Sequence, residues 1–127
     1  MTMTAADLVA AAKSEIREIA PIDYRKIGDC VLIDVREPTE FATDRIDGAI
    51  NIPRGVLEFQ VDADPAVANV SDPALSHKDQ TIVLYCRTGG RAALAAQSLQ
   101  RLGFRDVCSI AGGIAGWTDA GLPVSAR

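Results

Sequence analysis

One stretch constrains the fold more than any other. Thr81-Ile82-Val83-Leu84-Tyr85 is an apolar run that stops at Cys86. Arg87-Thr88-Gly89-Gly90 then separates it from a helical pattern beginning at Arg91. From there Ala92, Ala95, Ala96, Leu99 and Leu102 share one face, and Gly103 ends the helix. Strand, short turn and amphipathic helix together make one βα unit of an α/β fold. Cys30-Val31-Leu32-Ile33-Asp34 is a second compact apolar run. A run of that kind has no wet face and belongs in a parallel sheet covered on both sides.

The rest of the chain continues the alternation. Thr4 to Ser14 predicts a helix, with Ala5, Leu8, Val9 and Ala12 at helical spacing and Thr4 as N-cap. Ile16–Ile19 and Ala49–Ile52 predict short strands, and Val107–Ile110 a final one. Prolines open helices at Pro21 and Pro38, and Gly112-Gly113 turns into a last short helix carrying Trp117. Residues 54–79 are less regular. A helical turn is expected around Val56–Phe59, followed by a surface excursion over 62–78 that holds two prolines.

Several function classes are disfavoured at this level. With 127 residues, 48% of them apolar, the chain is expected to be one domain, 1–127, that needs no disulfide or metal staple. Thirteen basic and seventeen acidic residues argue against a broad nucleic-acid footprint, which requires clustered Lys and Arg. One histidine and no C-x-x-C give no zinc pattern, and no cofactor is expected. No apolar stretch approaches membrane-spanning length. The segment MTMTAADLVAAAKSEI lacks the basic start of a signal peptide, so a reduced, cytoplasmic protein is expected.

Chemistry concentrates at the end of the Thr81–Tyr85 strand. Ligands of open α/β sheets bind at the carboxyl ends of strands, and Cys86 sits at one. Paired glycines let successive N–H groups point inward as an anion-binding nest. The following helix adds unpaired N–H groups, and Arg87 and Arg91 add charge. Cationic neighbours and helix N-termini favour a thiolate over a thiol. The expectation is a nucleophile, Cys86, in a cradle made by Arg87, Thr88, Gly89, Gly90 and Arg91. Alone, a cysteine after an apolar strand reads as a core residue. The flanking RTGGR is what shifts the reading, because a structural cysteine has no need of it.

At this point the chain resembles a single-domain rhodanese. The matching pieces are Asp34-Val35-Arg36-Glu37 with Glu40-Phe41, Gly48-Ala49-Ile50-Asn51-Ile52-Pro53, and Tyr85-Cys86-Arg87-Thr88-Gly89-Gly90-Arg91. Gly112-Gly113-Ile114, Trp117 and Gly121-Leu122-Pro123-Val124 complete the set, which runs from about residue 19 to 124 and leaves 1–15 as a helical extension. Many rhodaneses carry Gly-His-Ile-Pro-Gly-Ala where this chain has Asp44-Arg45-Ile46-Asp47-Gly48-Ala49.

The resemblance implies a rhodanese-like, mostly parallel five-stranded sheet flanked by helices on both faces. It also implies a sulfurtransferase. Cys86 would take the sulfane sulfur of thiosulfate or a similar small anionic donor as a persulfide. It would then pass that sulfur to cyanide, a thiol, or a protein acceptor. Arg87 is the expected donor-binding side chain. Arg91 shares that role or pairs inward with Asp34 or Glu37.

Two other functional classes stay open. One is a phosphatase or arsenate reductase, whose loop is one residue longer than the four residues between Cys86 and Arg91. The other is a non-catalytic persulfide carrier or redox-sensing module.

The remaining candidates have structural readings. Asp34 and Arg36 are expected to support the site through a salt bridge. Arg54 is expected to be solvated, His77 to lie on the surface, and Cys30 and Cys108 to be buried and inert. Trp117 is expected to anchor the last helix, with its N–H satisfied.

Overall fold

The computed structural model describes residues 2–61, 75 and 77–126. In chain order the elements are α1 (Ala5–Lys13), β1 (Arg17–Ile19), α2 (Pro21–Tyr24), β2 (Val31–Asp34), α3 (Pro38–Thr43), β3 (Asp44–Arg45) and β4 (Ile50–Asn51). A 3₁₀ turn (Arg54–Val56) leads into α4 (Leu57–Val61), and β5 (Thr81–Tyr85), α5 (Gly90–Arg101), β6 (Asp106–Ile110), α6 (Gly113–Asp119) and β7 (Ser125–Ala126) follow. Most of the excursion expected at 62–78 lies outside the described residues. Within it Leu75 is buried and His77 is exposed, as expected for the histidine.

Five strands form one sheet in the order β1-β6-β5-β2-β4, with every pairing parallel. The apolar runs occupy its centre. In register, Ile33 lies beside Leu84, and Leu84 beside Ser109. Helices cover both faces. On one face α4 and α5 pack Leu57, Val61, Ala92, Ala95, Ala96 and Leu99 against Ile33, Ile82 and Leu84. On the other, Ile114 and Trp117 of α6, with Tyr24 of α2, cover Leu32, Val83 and Tyr85.

Local sequence explains several boundaries. Thr4 caps α1 through a reciprocal pair, its hydroxyl accepting from the Asp7 N–H while Asp7 accepts from the Thr4 N–H. Proline at its first position starts α3. Trp117 is buried, and its Nε1–H donates to the Pro123 carbonyl at 2.8 Å, which ties the chain after α6 back onto the body.

One pairing was not expected from sequence. Asp44–Arg45 and Ser125–Ala126 form a separate antiparallel ribbon.

Candidate active site

The sheet register sets two loops side by side. Asp34 at the end of β2 pairs with Tyr85 at the end of β5, so the chain leaves the same sheet edge at both places. The Val35 N–H donates to the Tyr85 carbonyl at 3.0 Å, joining the loops just beyond the strands.

The β5 loop wraps the Cys86 sulfur. The Gly89 N–H donates to Sγ at 3.1 Å, and the Ala92 N–H, in the first turn of α5, approaches it at 3.4 Å. Gly89 has φ 116°, a left-handed conformation that turns its N–H inward and that a side chain would strain. Of the stretch 87–91, Gly89 supplies an N–H to the sulfur, and the second comes from Ala92, a donor just outside it that the residue types did not disclose. Cys86 itself is 1% exposed, whereas Arg87 and Thr88 are exposed at the loop's outer rim.

A second device clamps this loop from behind. The Ile114 and Ala115 N–H groups in the first turn of α6 donate to the Cys86 and Arg87 carbonyls at 2.9 and 3.0 Å. A β-carbon at Gly113 would lie 2.5 Å from both those carbonyl oxygens. Only glycine allows α6 to press so closely on the back of the loop. The sequence reading took Gly112-Gly113 merely as a turn. A cleft of about 210 Å³ opens beside the loop, lined by Asp44, Arg87, Ile114, Ala115, Thr118 and Asp119.

The arginines divide sharply. Arg91 makes a two-pronged pair with Glu40, at 2.8 and 3.0 Å. Its partner is therefore neither Asp34 nor Glu37, because Glu40 on α3 is the acid that faces α5. The Arg91 hydrogen bond, helped by the Glu37 N–H and opposed by burial, holds the Glu40 carboxyl down at about 2. The Arg87 guanidinium has no hydrogen-bond or ion-pair partner among the described residues, and Arg87 is exposed where it lines the cleft. Arg54, expected to be solvated, instead pairs with Glu58 at 2.9 Å and donates to the Ser98 hydroxyl at 3.2 Å. It lies between α4 and α5, where both partners are in reach.

Asp34 and Arg36 are buried to within 1% and bonded to each other. The Arg36 Nε and Nη2 donate to the Asp34 carboxylate at 2.8–3.1 Å. Arg36 also donates to the Asp44 carboxylate and carbonyl. Burial opposes the charge, but the Asp34 bond and field, joined by Asp44, outweigh it and hold the guanidinium above its ordinary range. The Tyr85 hydroxyl accepts from the Ile46 N–H at 3.1 Å and, being buried, is pushed well above the ordinary phenol value.

The other two cysteines stand apart from this site. Cys108 is buried and raised by that burial, while Cys30 is half-buried beside the Tyr24 hydroxyl, which burial lifts to about 12. Among the described residues, no group of His, Cys, Asp or Glu is placed to hold a metal ion, and no helix is long and apolar enough to cross a membrane.

The geometry has counterparts in known proteins. Over 98 residues the chain is 32% identical to a sulfurtransferase of Allochromatium vinosum, spanning 77% of this chain and 80% of that one. Its fold matches the polysulfide-sulfur transferase homodimer of Wolinella succinogenes with a TM-score of 0.70 at 30% identity, over 94% of this chain and 85% of that one. It also matches a Rhodopseudomonas palustris protein of unknown function, described as a possible tyrosine phosphatase. There the TM-score is 0.84 at 31% identity, over 98% and 96% of the two chains. A model of the rhodanese-like domain covers residues 22–120, from α2 through α6 and with the Cys86 loop inside it. The chain therefore belongs to the rhodanese-like domain family.

Proposed function

We propose that this protein is a thiosulfate-type sulfurtransferase that works through a persulfide on Cys86. The observation that carries the reading is the pair of N–H groups, from Gly89 and Ala92, aimed at Sγ. The Cys86 thiolate attacks the outer sulfur of thiosulfate, the S–S bond breaks, and sulfite leaves with the bonding pair. The outer sulfur of the resulting persulfide then goes to cyanide, giving thiocyanate, or to a thiol, giving a new persulfide. Either transfer restores the thiolate. Both sulfur anions sit where water is largely excluded, so fixed amide dipoles replace hydration. Arg87, Thr88 and the cleft beside them form the approach for the anionic donor, and Asp34 and Arg36 support the neighbouring loop. The reduced, cytoplasmic setting expected from sequence suits a thiol or protein-thiol acceptor.

The description of the Rhodopseudomonas relative favours a second reading, phosphate-ester hydrolysis at Cys86. Four residues between Cys86 and Arg91, and an Arg91 already paired with Glu40, speak against a loop that encloses a tetrahedral oxyanion. Mass spectrometry of the intact protein after thiosulfate treatment tests the proposal. One added sulfur mapped to Cys86, thiocyanate on adding cyanide, and loss of both in Cys86→Ser are expected. Normal thiocyanate production by Cys86→Ser would refute it. Aryl phosphate hydrolysis that needs Cys86, without sulfur uptake, would transfer the assignment to the second reading.

A further inference from the structure

The N-terminal helix brings a charge to the Cys86 loop from outside the family-matched span. α1 lies before residue 22, where that match begins, and packs along α5. Its contact with the loop is direct. A β-carbon at Gly90 would meet Val9 at 3.5 Å. One at Gly89 would stand 3.7 Å from the Lys13 Nζ, 3.9 Å from the Glu18 Oε2 and 3.9 Å from the Gly112 N. Gly89 is the residue whose N–H donates to Sγ, so Lys13 flanks the very wall that holds the sulfur. Arg87 lines the cleft toward α6, and Lys13 approaches the loop from α1. The loop thus carries one cation of its own, Arg87, and meets a second, Lys13, from α1.

The Lys13–Glu18 pair is not a closed one. The ammonium and carboxylate are 3.8 Å apart, longer than a hydrogen bond, and both side chains are partly exposed at 38% and 28%. An ammonium carries three donors on a flexible stem, and a single loose carboxylate contact leaves donors for an incoming anion.

We propose that Lys13 is a positioning residue for anionic reagents at Cys86, with Glu18 as the countercharge that tethers and moderates it. The inference builds on the proposed sulfurtransferase reading only for the identity of the anion, a thiosulfate-like donor. The charge effect itself can be read without any sulfur donor.

Alkylation supplies that readout. Iodoacetate is anionic and iodoacetamide is neutral, yet both attack the same sulfur by the same displacement. The ratio of their rates at Cys86, followed by peptide mass mapping at low ionic strength, isolates attraction for the anion from reactivity of the thiol. Lys13→Gln should lower the ratio several-fold, and Lys13→Arg should keep it. Glu18→Gln should raise it, because the opposing charge is gone. A pair that merely props up α1 would lower reactivity toward both reagents in both variants and leave the ratio level. A ratio within about twofold of the parent in Lys13→Gln, at the ionic strength where screening is weak, would overturn the proposal. So would the same sign in both variants, or a Cys86 inert to both reagents. Sulfur uptake from thiosulfate, measured separately, reports on the sulfurtransferase reading, so failure of one claim is distinguishable from failure of the other.

Discussion

Two loops leave the same edge of the sheet and use their arginines in opposite ways. After β2, Arg36 is 1% exposed and spends its guanidinium on Asp34 and on both the carboxylate and the carbonyl of Asp44. Asn51 ties down the same loop by donating to the Asp34 and Arg36 carbonyls at 3.0 and 2.9 Å. After β5, Arg87 and Thr88 face solvent, and the loop's inward groups are backbone amides directed at a sulfur. The first loop is a closed polar network whose charge is consumed in holding shape. In the second, charge stays available for a ligand because the backbone, clamped by α6 from behind, holds the shape instead. A strand-end arginine in an α/β sheet is therefore not a binding residue by position alone. Whether an acid already occupies it decides the matter.

The largest expected effects test that division. Arg36→Met would leave Asp34 buried with no counterion, a change that costs about 3–5 kcal/mol. Urea unfolding should show it as a large drop in midpoint at unchanged slope. Arg87→Gln should move stability by no more than about 0.5 kcal/mol, while lowering kcat/KM for thiosulfate roughly tenfold through loss of one charge-assisted contact. An Arg36→Met protein as stable as its parent would erase the contrast between the loops.

The clamp comes next in size. Gly113→Ala puts a methyl group 2.5 Å from the Cys86 and Arg87 carbonyl oxygens, at a residue with φ 62°. Either α6 or the loop must withdraw, at about 2–4 kcal/mol from overpacking and left-handed strain together. Sulfur uptake should fall further than stability alone explains, because the loop backbone sets the two amide distances. Thermal unfolding alongside persulfide yield would separate the two. Undiminished yield in a destabilised variant would show that α6 does not shape the cradle.

What the residues disclosed follows the range of the interactions involved. The β5 strand was legible to the residue because Thr81–Tyr85 is an uninterrupted apolar run, and α3 because Pro38 fixes its start. Cys86 stood out since glycines and arginines next to it have no structural purpose in common. The ribbon of Asp44–Arg45 with Ser125–Ala126 was not legible, as two dipeptides are too short to carry a periodicity and pair across most of the chain. The role of Glu40 was not legible, since its partner Arg91 is 51 residues away. Asp44 lies where the sequence departs from the common Gly-His-Ile-Pro-Gly-Ala pattern, and there it supplies the second acid for Arg36. Ala92 and Lys13 were missed for a plainer reason. One acts through its backbone, and the other reaches the loop only because α1 folds against α5.

Arg91 is the intermediate case, and breaking its pair gives the smallest effect. It stands in the first turn of the helix that follows the Cys86 loop, yet its charge is occupied as Arg36's is. The pair is partly exposed, so screening limits its worth to about 0.5–1 kcal/mol. Glu40 is depressed in the folded state, to about 2 from an ordinary 4.5. Its contribution is thus fully present above the ordinary carboxylate value and is lost as pH falls from there toward 2. Glu40→Gln should be less stable than the parent at neutral pH by that small amount, and the gap should close as the solution is acidified through this window. Urea midpoints of both proteins across the range would check it, and a gap independent of pH would mean that Glu40 acts through packing rather than charge. The same variant frees the Arg91 guanidinium beside the Cys86 loop. If an unoccupied arginine is what makes a strand-end loop a ligand site, KM for thiosulfate should fall modestly as Arg91 moves from the condition of Arg36 toward that of Arg87.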